Sequence, residues 1–196
     1  MTNTVYVNNQ GSANVTVING ATNAVTTTVA VGTMPYEVAV NPVTNKIYVP
    51  NFGSANVTVI NGATNAVAAT VPAGSSPFNL AVNPVTNEVY VANDDTTVTV
   101  INGATNAHTT VTAGSDTLAV AVNPVTDQIY VANNGSANVT VIDGSTNAFD
   151  NFATTGIGPN AAAVNPVTDT IYMSNKDGTT VTAVSYTHLD VYKRQR

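Results

Sequence analysis

The chain has 196 residues, of which 43% are hydrophobic and only 8% are charged, with a formal net charge of −6 and no cysteine. The missing cysteines exclude disulfides and thiolate metal sites. Only two lysines, Lys46 and Lys176, precede a short basic tail, so we expect no nucleic-acid binding, because an acidic surface repels phosphate backbones. We expect no membrane insertion either, because no apolar run is long enough to span a bilayer.

A sequence repeat organises the chain from its first residues onward. The segment Asn-Pro-Val-Thr-Asn/Asp begins at positions 41, 83, 123 and 165, at spacings of 42, 40 and 42 residues. A tyrosine recurs in register at Tyr6, Tyr48, Tyr90, Tyr130 and Tyr172. A glycine precedes each Asn-Pro by nine residues, at Gly32, Gly74, Gly114 and Gly156. The period is therefore about 42 residues.

The second copy shows the predicted elements of one period in chain order. Four β-type runs cover residues 38–40, 46–49, 56–60 and roughly 67–71. Pro42 favours a turn after the first run, and Asn61-Gly62 starts the loop to the fourth. Four short antiparallel strands in about 42 residues are typical of one propeller blade. Helical repeats of this period are excluded, because no run carries apolar residues three and four apart.

The sequence thus predicts an all-β fold, a β-propeller of four to five four-stranded antiparallel blades. We assign the repeats to residues 1–184, with blades at about 3–31 (partial), 33–72, 75–112, 115–154 and 157–184 (partial). The first copy lacks an innermost strand and the last lacks an outer one. We therefore expect an incomplete part of a larger propeller. Its open blade edges favour self-association, because unpaired strands attract other strands. The tyrosines are predicted to be core between stacked blades.

The Tyr-Val-x-Asn signature resembles the YVTN family of β-propeller repeats. It stands as Tyr6-Val7-Asn8-Asn9, Tyr48-Val49-Pro50-Asn51, Tyr90-Val91-Ala92-Asn93 and Tyr130-Val131-Ala132-Asn133, with a degenerate copy at Tyr172-Met173-Ser174-Asn175. The resemblance covers about residues 3 to 184. It implies a propeller, commonly of seven blades, often in secreted or surface-layer proteins of archaea and bacteria. It implies no single activity, because propellers host many functions.

Residues 185–196 depart from the repeat and are expected to be artefactual. The segment from Ser185 to Arg196 resembles an adaptor- or vector-derived tail and holds three of the five basic residues. We exclude it from functional reasoning. Within it, residues 189–193 are predicted to pair as a makeshift outer strand, because that position in the last blade is otherwise empty.

Five residues are candidate ligand contacts at the mouth of the central channel. They follow the loops between blades, and they are Tyr36, Glu37, Phe78, Asn79 and Asn160. Tyr36 and Phe78 are favoured because they stand beside an inter-blade loop near the channel mouth, and packing between blades is the alternative for both rings.

We predict no catalytic, cofactor-binding or metal-ligating residues. His108 stands alone in a predicted outer strand, and His188 belongs to the tail. The Asp94-Asp95 pair and Asp116 lie in turns without the spacing of a calcium loop. Some related propeller enzymes carry histidine after the inter-blade loop, and this chain does not.

The sequence favours a non-enzymatic propeller module, extracellular or at the cell surface, that binds a protein or glycan or builds a scaffold. The alternative is a fragment of a propeller enzyme of lyase or lactonase type whose catalytic blades are missing. Histidine or carboxylate residues facing the channel in further blades would distinguish the two. A purely structural spacer is a third interpretation.

Overall fold

The computed structural model describes residues 3–185, which form five antiparallel sheets built from consecutive strands. The three central sheets have four strands each, so the predicted all-β fold of four-stranded blades is confirmed. The second blade comprises β4 (Ala39–Asn41), β5 (Lys46–Asn51), β6 (Asn56–Asn61) and β7 (Ala66–Pro72). The third comprises β8 (Pro77–Asn83), β9 (Glu88–Asn93), β10 (Thr97–Asn102) and β11 (His108–Thr112). The fourth comprises β12 (Thr117–Asn123), β13 (Gln128–Asn133), β14 (Asn138–Asp143) and β15 (Ala148–Thr154).

The two end blades have three strands each within the described residues. The first comprises β1 (Thr4–Asn9), β2 (Asn14–Asn19) and β3 (Ala24–Ala30). The fifth comprises β16 (Pro159–Asn165), β17 (Thr170–Asn175) and β18 (Val181–Ser185). Strand β18 runs one residue past the predicted end of the repeats. The proposed outer strand at 189–193 lies outside the described residues. The short 3-10 turns Gln10–Ser12 and Phe52–Ser54 follow β1 and β5. Within residues 3–185 no helix is long and apolar enough to cross a membrane.

The Asn-Pro-Val-Thr-Asn/Asp segment is a turn that also joins neighbouring blades. The Oδ1 atom of Asn41 accepts hydrogen bonds from the backbone N–H groups of Val43 (3.0 Å) and Thr44 (3.3 Å). The last residue of each segment has a positive φ, between 49° and 59°, which asparagine and aspartate tolerate better than other side chains. Asn41 Nδ2 then donates to Asn87 Oδ1 of the next blade at 2.9 Å.

The same inter-blade bond recurs along the array. Asn83 Nδ2 donates to Asp127 Oδ1 at 2.7 Å, and Asn123 Nδ2 donates to Asp169 Oδ1 at 2.6 Å. In every case the donor belongs to the earlier blade and the acceptor to the later one. The repeated asparagines are therefore explained by turn geometry and blade joining.

The signature asparagine and the repeated glycine belong to a second recurring network. Asn93 Nδ2 donates to the hydroxyls of Thr97 and Thr99, both at 3.0 Å, which fastens the ends of β9 and β10 together. The backbone N–H of Gly74 donates to the same Thr99 hydroxyl at 3.1 Å. A Cβ atom on Gly74 would come within 2.5 Å of Asn93 Nδ2. This position therefore requires glycine, because the inter-blade loop passes directly over the asparagine.

The core lies between the blades and is centred on the signature tyrosines. Tyr48 packs with Val89, Val91 and Ile101 of the next blade, and Tyr90 occupies the equivalent place one interface further. Tyr48, Tyr90 and Tyr130 are at most 1% exposed. In these three blades the prediction of core tyrosines is confirmed. Tyr172 differs, because 45% of it is exposed.

Candidate functional site

Three aromatic rings meet at one end of the second and third blades, beside their inner strands. Tyr36 lies just before the inner strand β4, Phe78 lies in the inner strand β8, and Phe52 lies in the turn after β5. These positions coincide because antiparallel strands bring the start of the inner strand and the end of the second strand to the same end of a blade. A bridge between Pro35 and Asn51 fixes that alignment in the second blade.

The rings form one cluster, which we call the aromatic cluster of Tyr36, Phe52 and Phe78. The Tyr36 ring centroid is 4.5 Å from that of Phe78 and 5.3 Å from that of Phe52. Phe52 and Phe78 lie 6.5 Å apart, edge to face. These are ordinary distances for interacting aromatic pairs. Tyr36 remains 41% exposed, so the cluster presents an aromatic surface to solvent.

A chain of polar contacts runs beside the aromatic cluster across three inner strands. Asn79 Nδ2 donates to Glu37 Oε2, and the backbone N–H of Leu80 donates to the same oxygen at 3.2 Å. Asn79 Oδ1 in turn accepts from the backbone N–H of Val120 at 2.9 Å. Glu37 and Asn79 occupy equivalent repeat positions in neighbouring blades. These contacts therefore run from one blade to the next.

Burial raises the pKa of the Glu37 carboxyl above its ordinary value, and the hydrogen bond from the Leu80 backbone opposes that rise. Glu37 is half-buried. Glu37 and Asn79 offer hydrogen-bonding groups next to an exposed aromatic surface. Such an arrangement can hold a ligand that has both an apolar face and polar edges.

The structure brings together four of the five residues predicted for the channel mouth and separates the fifth. Tyr36, Glu37, Phe78 and Asn79 are adjacent, whereas Asn160 lies in β16 of the fifth blade. Asn160 Oδ1 accepts a hydrogen bond from the Ser174 hydroxyl at 2.9 Å within its own blade. Asn160 therefore makes no contribution to the aromatic cluster.

Phe52 was missed by the sequence reasoning. It follows a signature asparagine, where the other copies have Gln10, Asp94, Asn134 and Lys176. An aromatic residue at a turn position that is polar in every other copy was a usable signal. It would have suggested that the second blade differs from its neighbours at this end.

The acidic turn of the third blade serves local structure. Asp95 Oδ1 accepts from the Thr97 backbone N–H at 2.6 Å, and its Oδ2 accepts from the Ser75 N–H at 3.0 Å. Burial, with the charges of Asp116 and Asp95, raises the pKa of Asp94. Among residues 3–185 no group of three or more His, Cys, Asp or Glu side chains could hold a metal ion.

His108 lies on the outer strand of the third blade. It is the first residue of the outer strand β11, it is exposed, and it pairs across the sheet with Ile101. It lines a shallow depression of about 190 Å³ together with Glu88 and Asn147. This position matches the interpretation of His108 as an outer-strand surface residue.

The fold and the site define a class, a β-propeller-type array of repeated blades with an aromatic surface at one end of two neighbouring blades. No protein-family model matches the chain, and no curated protein matches it. Among solved structures it is similar to Kuenenia stuttgartiensis hydrazine synthase, with a TM-score of 0.79 and 20% sequence identity. The match covers 92% of this chain and 58% of that one, so this chain spans little more than half of its neighbour. At this identity the likeness shows the fold alone, and membership of the YVTN family stays a prediction.

Proposed function

We propose that this chain is a YVTN-type binding module, extracellular or on the cell surface, whose channel mouth binds a glycan or protein ligand without catalysis. The aromatic cluster carries the proposal, because Tyr36 is 41% exposed while two further rings hold it in place. The cluster joins three rings to a neighbouring carboxylate and amide, whereas the exposed pair of Phe149 and Phe152 on an outer strand has two rings.

The surroundings of the cluster favour a saccharide or a polar peptide over an apolar molecule. Glu37 and Asn79 place a carboxylate and an amide within the same site, already aligned by the Leu80 and Val120 backbone. A saccharide ring stacks its C–H face on an aromatic ring while its hydroxyls bond to such groups. Preorganised polar groups contribute specificity because they need no rearrangement on binding.

The test is a printed array of neutral and acidic glycans probed with the fluorescently labelled full chain. Glycans that bind are then titrated by calorimetry against the wild type, Tyr36→Ala and Phe149→Ala. Phe149 is the matched control, because it is 46% exposed and pairs with Phe152 at 4.6 Å on an outer strand.

We expect Tyr36→Ala to weaken binding about tenfold or more, and Phe149→Ala to leave it unchanged. Equal losses in both variants would place binding elsewhere. Failure of every glycan, together with failure of an array of surface-protein peptides, would overturn the proposal. Labelling of intact source cells with an antibody against the chain tests the location separately.

A further inference from the structure

We infer that the aromatic cluster and Glu37 together bind an arginine side chain of a partner protein. The inference rests on the proposed function, because it names the ligand chemistry of that same site. The guanidinium group stacks on the exposed Tyr36 ring and donates a hydrogen bond to the Glu37 carboxylate.

The residues of this site depart from the repeat, so the fold alone does not explain them. The positions equivalent to Glu37 in the fourth and fifth blades are Ala119 and Ala161, so a blade folds without a carboxylate there. Phe52 likewise stands where every other copy has a polar or charged residue. Both departures fall at the same end of the second blade, which indicates that this end has a role beyond folding.

The Glu37 carboxylate is held in place through one of its two oxygens. Its Oε2 accepts from Asn79 Nδ2 and from the Leu80 backbone N–H. Its Oε1 accepts no hydrogen bond from residues 3–185. The protein therefore orients the group and leaves one oxygen for a donor on a ligand, and such preorganisation favours binding.

No lysine or arginine in the described part of the chain pairs with this carboxylate. Lys46 and Lys176 are the only such residues before the tail. Lys46 stands at the opposite end of β5 and donates to the Gly103 carbonyl oxygen, and Lys176 follows β17 in the fifth blade. Burial raises the pKa of Glu37, and a cationic ligand would supply the missing positive neighbour.

The third blade adds negative charge at the same end. Asp94 follows β9 as Phe52 follows β5, and it is half-buried. Burial, with the charges of Asp116 and Asp95, raises the pKa of Asp94. Carboxylates therefore flank the aromatic cluster, and charge complementarity favours a cationic ligand over an acidic glycan.

A guanidinium group matches both parts of the site. The face of an aromatic ring attracts a cation, and arginine makes this contact more often than lysine. The guanidinium is planar, so it can lie on the Tyr36 ring while its N–H groups reach a carboxylate. A neutral saccharide can stack on the ring, but it leaves the charge of Glu37 uncompensated.

The experiment titrates the isotope-labelled full chain with two blocked peptides and follows the backbone amide signals by NMR. One peptide is acetyl-Gly-Arg-Gly-amide, and the other has citrulline, which is uncharged and nearly identical in shape, in place of arginine. The variants are Tyr36→Ala and Glu37→Gln. Asp150→Asn is the matched control, because it also removes one negative charge, but from an exposed position on the outer strand β15. The amide spectrum verifies that each variant keeps the fold.

We expect the arginine peptide to shift the Leu80 amide signal and to bind the wild type roughly tenfold more tightly than the citrulline peptide. Tyr36→Ala should weaken binding of the arginine peptide about fivefold or more. Glu37→Gln should remove the preference for arginine over citrulline, and Asp150→Asn should retain it.

Equal binding of the two peptides, or a preference for arginine that survives Glu37→Gln, would overturn the inference. A glycan that binds at Tyr36 and is unaffected by Glu37→Gln would also overturn it, while leaving the proposed function in place. If no glycan or peptide shows binding that depends on Tyr36, both the inference and the proposed function fail.

Discussion

Removing the hydroxyl of Tyr90 should destabilise the fold, whereas removing that of Tyr48 should not. Both side chains are 0% exposed at equivalent positions of neighbouring blades. Tyr90 donates to Glu88 Oε2 at 2.8 Å and contacts Asn147 Oδ1 at 3.0 Å. The Tyr48 hydroxyl is buried and has no hydrogen-bond partner among the described residues.

The expected difference in unfolding free energy follows from the hydrogen-bond partners of the two tyrosine hydroxyls. A hydrogen bond to a charged group contributes about 1.5–3 kcal/mol, and a buried unpaired polar group costs about 1–3 kcal/mol. After Tyr90→Phe, Asn147 Nδ2 still bonds to Glu88 Oε1 at 3.1 Å, which offsets part of the loss. We therefore expect Tyr90→Phe to lower the free energy of unfolding by about 2 kcal/mol. Tyr48→Phe should leave it unchanged or raise it by up to about 1 kcal/mol.

Urea unfolding followed by circular dichroism measures both effects. Each variant is compared with the wild type, and the comparison holds where the slope of the unfolding free energy against urea concentration is unchanged. Equal destabilisation by the two substitutions would refute the reasoning. It would mean that the Tyr48 hydroxyl donates a hydrogen bond. The matching acceptor would be Asn106 Oδ1, because Asn106 is the repeat equivalent of Asn147. Asn106 Oδ1 is also buried and unpaired among residues 3–185.

Two further predictions concern the inter-blade loop and the channel. Gly74→Ala should destabilise the fold by about 1–3 kcal/mol in the same assay, because its Cβ would meet Asn93 Nδ2 at 2.5 Å. Gly11→Ala, whose Cβ would meet nothing within 4 Å, is the control and should be near neutral. Burial raises the folded-state pKa of Glu37, so its contribution to stability is present below about pH 4.5 and is lost as the pH rises through the folded pKa. Glu37→Gln should therefore gain stability relative to the wild type between about pH 4 and about pH 7, and a constant difference across that range would contradict the prediction.

The fold was predictable because the repeat places the same turn residues at the same interval. Pro42, the left-handed Asn45 and the loop at Asn61-Gly62 separate the strands at nearly the predicted bounds. The predicted run 46–49 became Lys46–Asn51, which is longer because Asn51 pairs with Asn56 across the sheet. Turn-forming residues and alternating apolar residues were therefore enough to predict the strands and their approximate bounds.

The site was predictable only in part, because residues at equivalent positions of the repeat need not lie close together in the fold. Tyr36, Phe78 and Asn160 stand at equivalent positions, yet only residues of neighbouring blades come into contact. Asn160 lies three blades after Tyr36, and the curvature of the array carries it away. Phe52 belongs to a different repeat position, so only the folded blade shows that its ring reaches Tyr36.

The inter-blade bonds from Asn41, Asn83 and Asn123 all run from an earlier blade to a later one, over 46, 44 and 46 residues. The third and fourth blades therefore each carry a donor toward the next blade and an acceptor toward the previous one. Deleting or duplicating one whole repeat in a gene joins a donor to an acceptor again, wherever in the period the DNA recombines. For this bond, we expect that a gene which gains or loses one whole repeat needs no compensating substitution at the new junction.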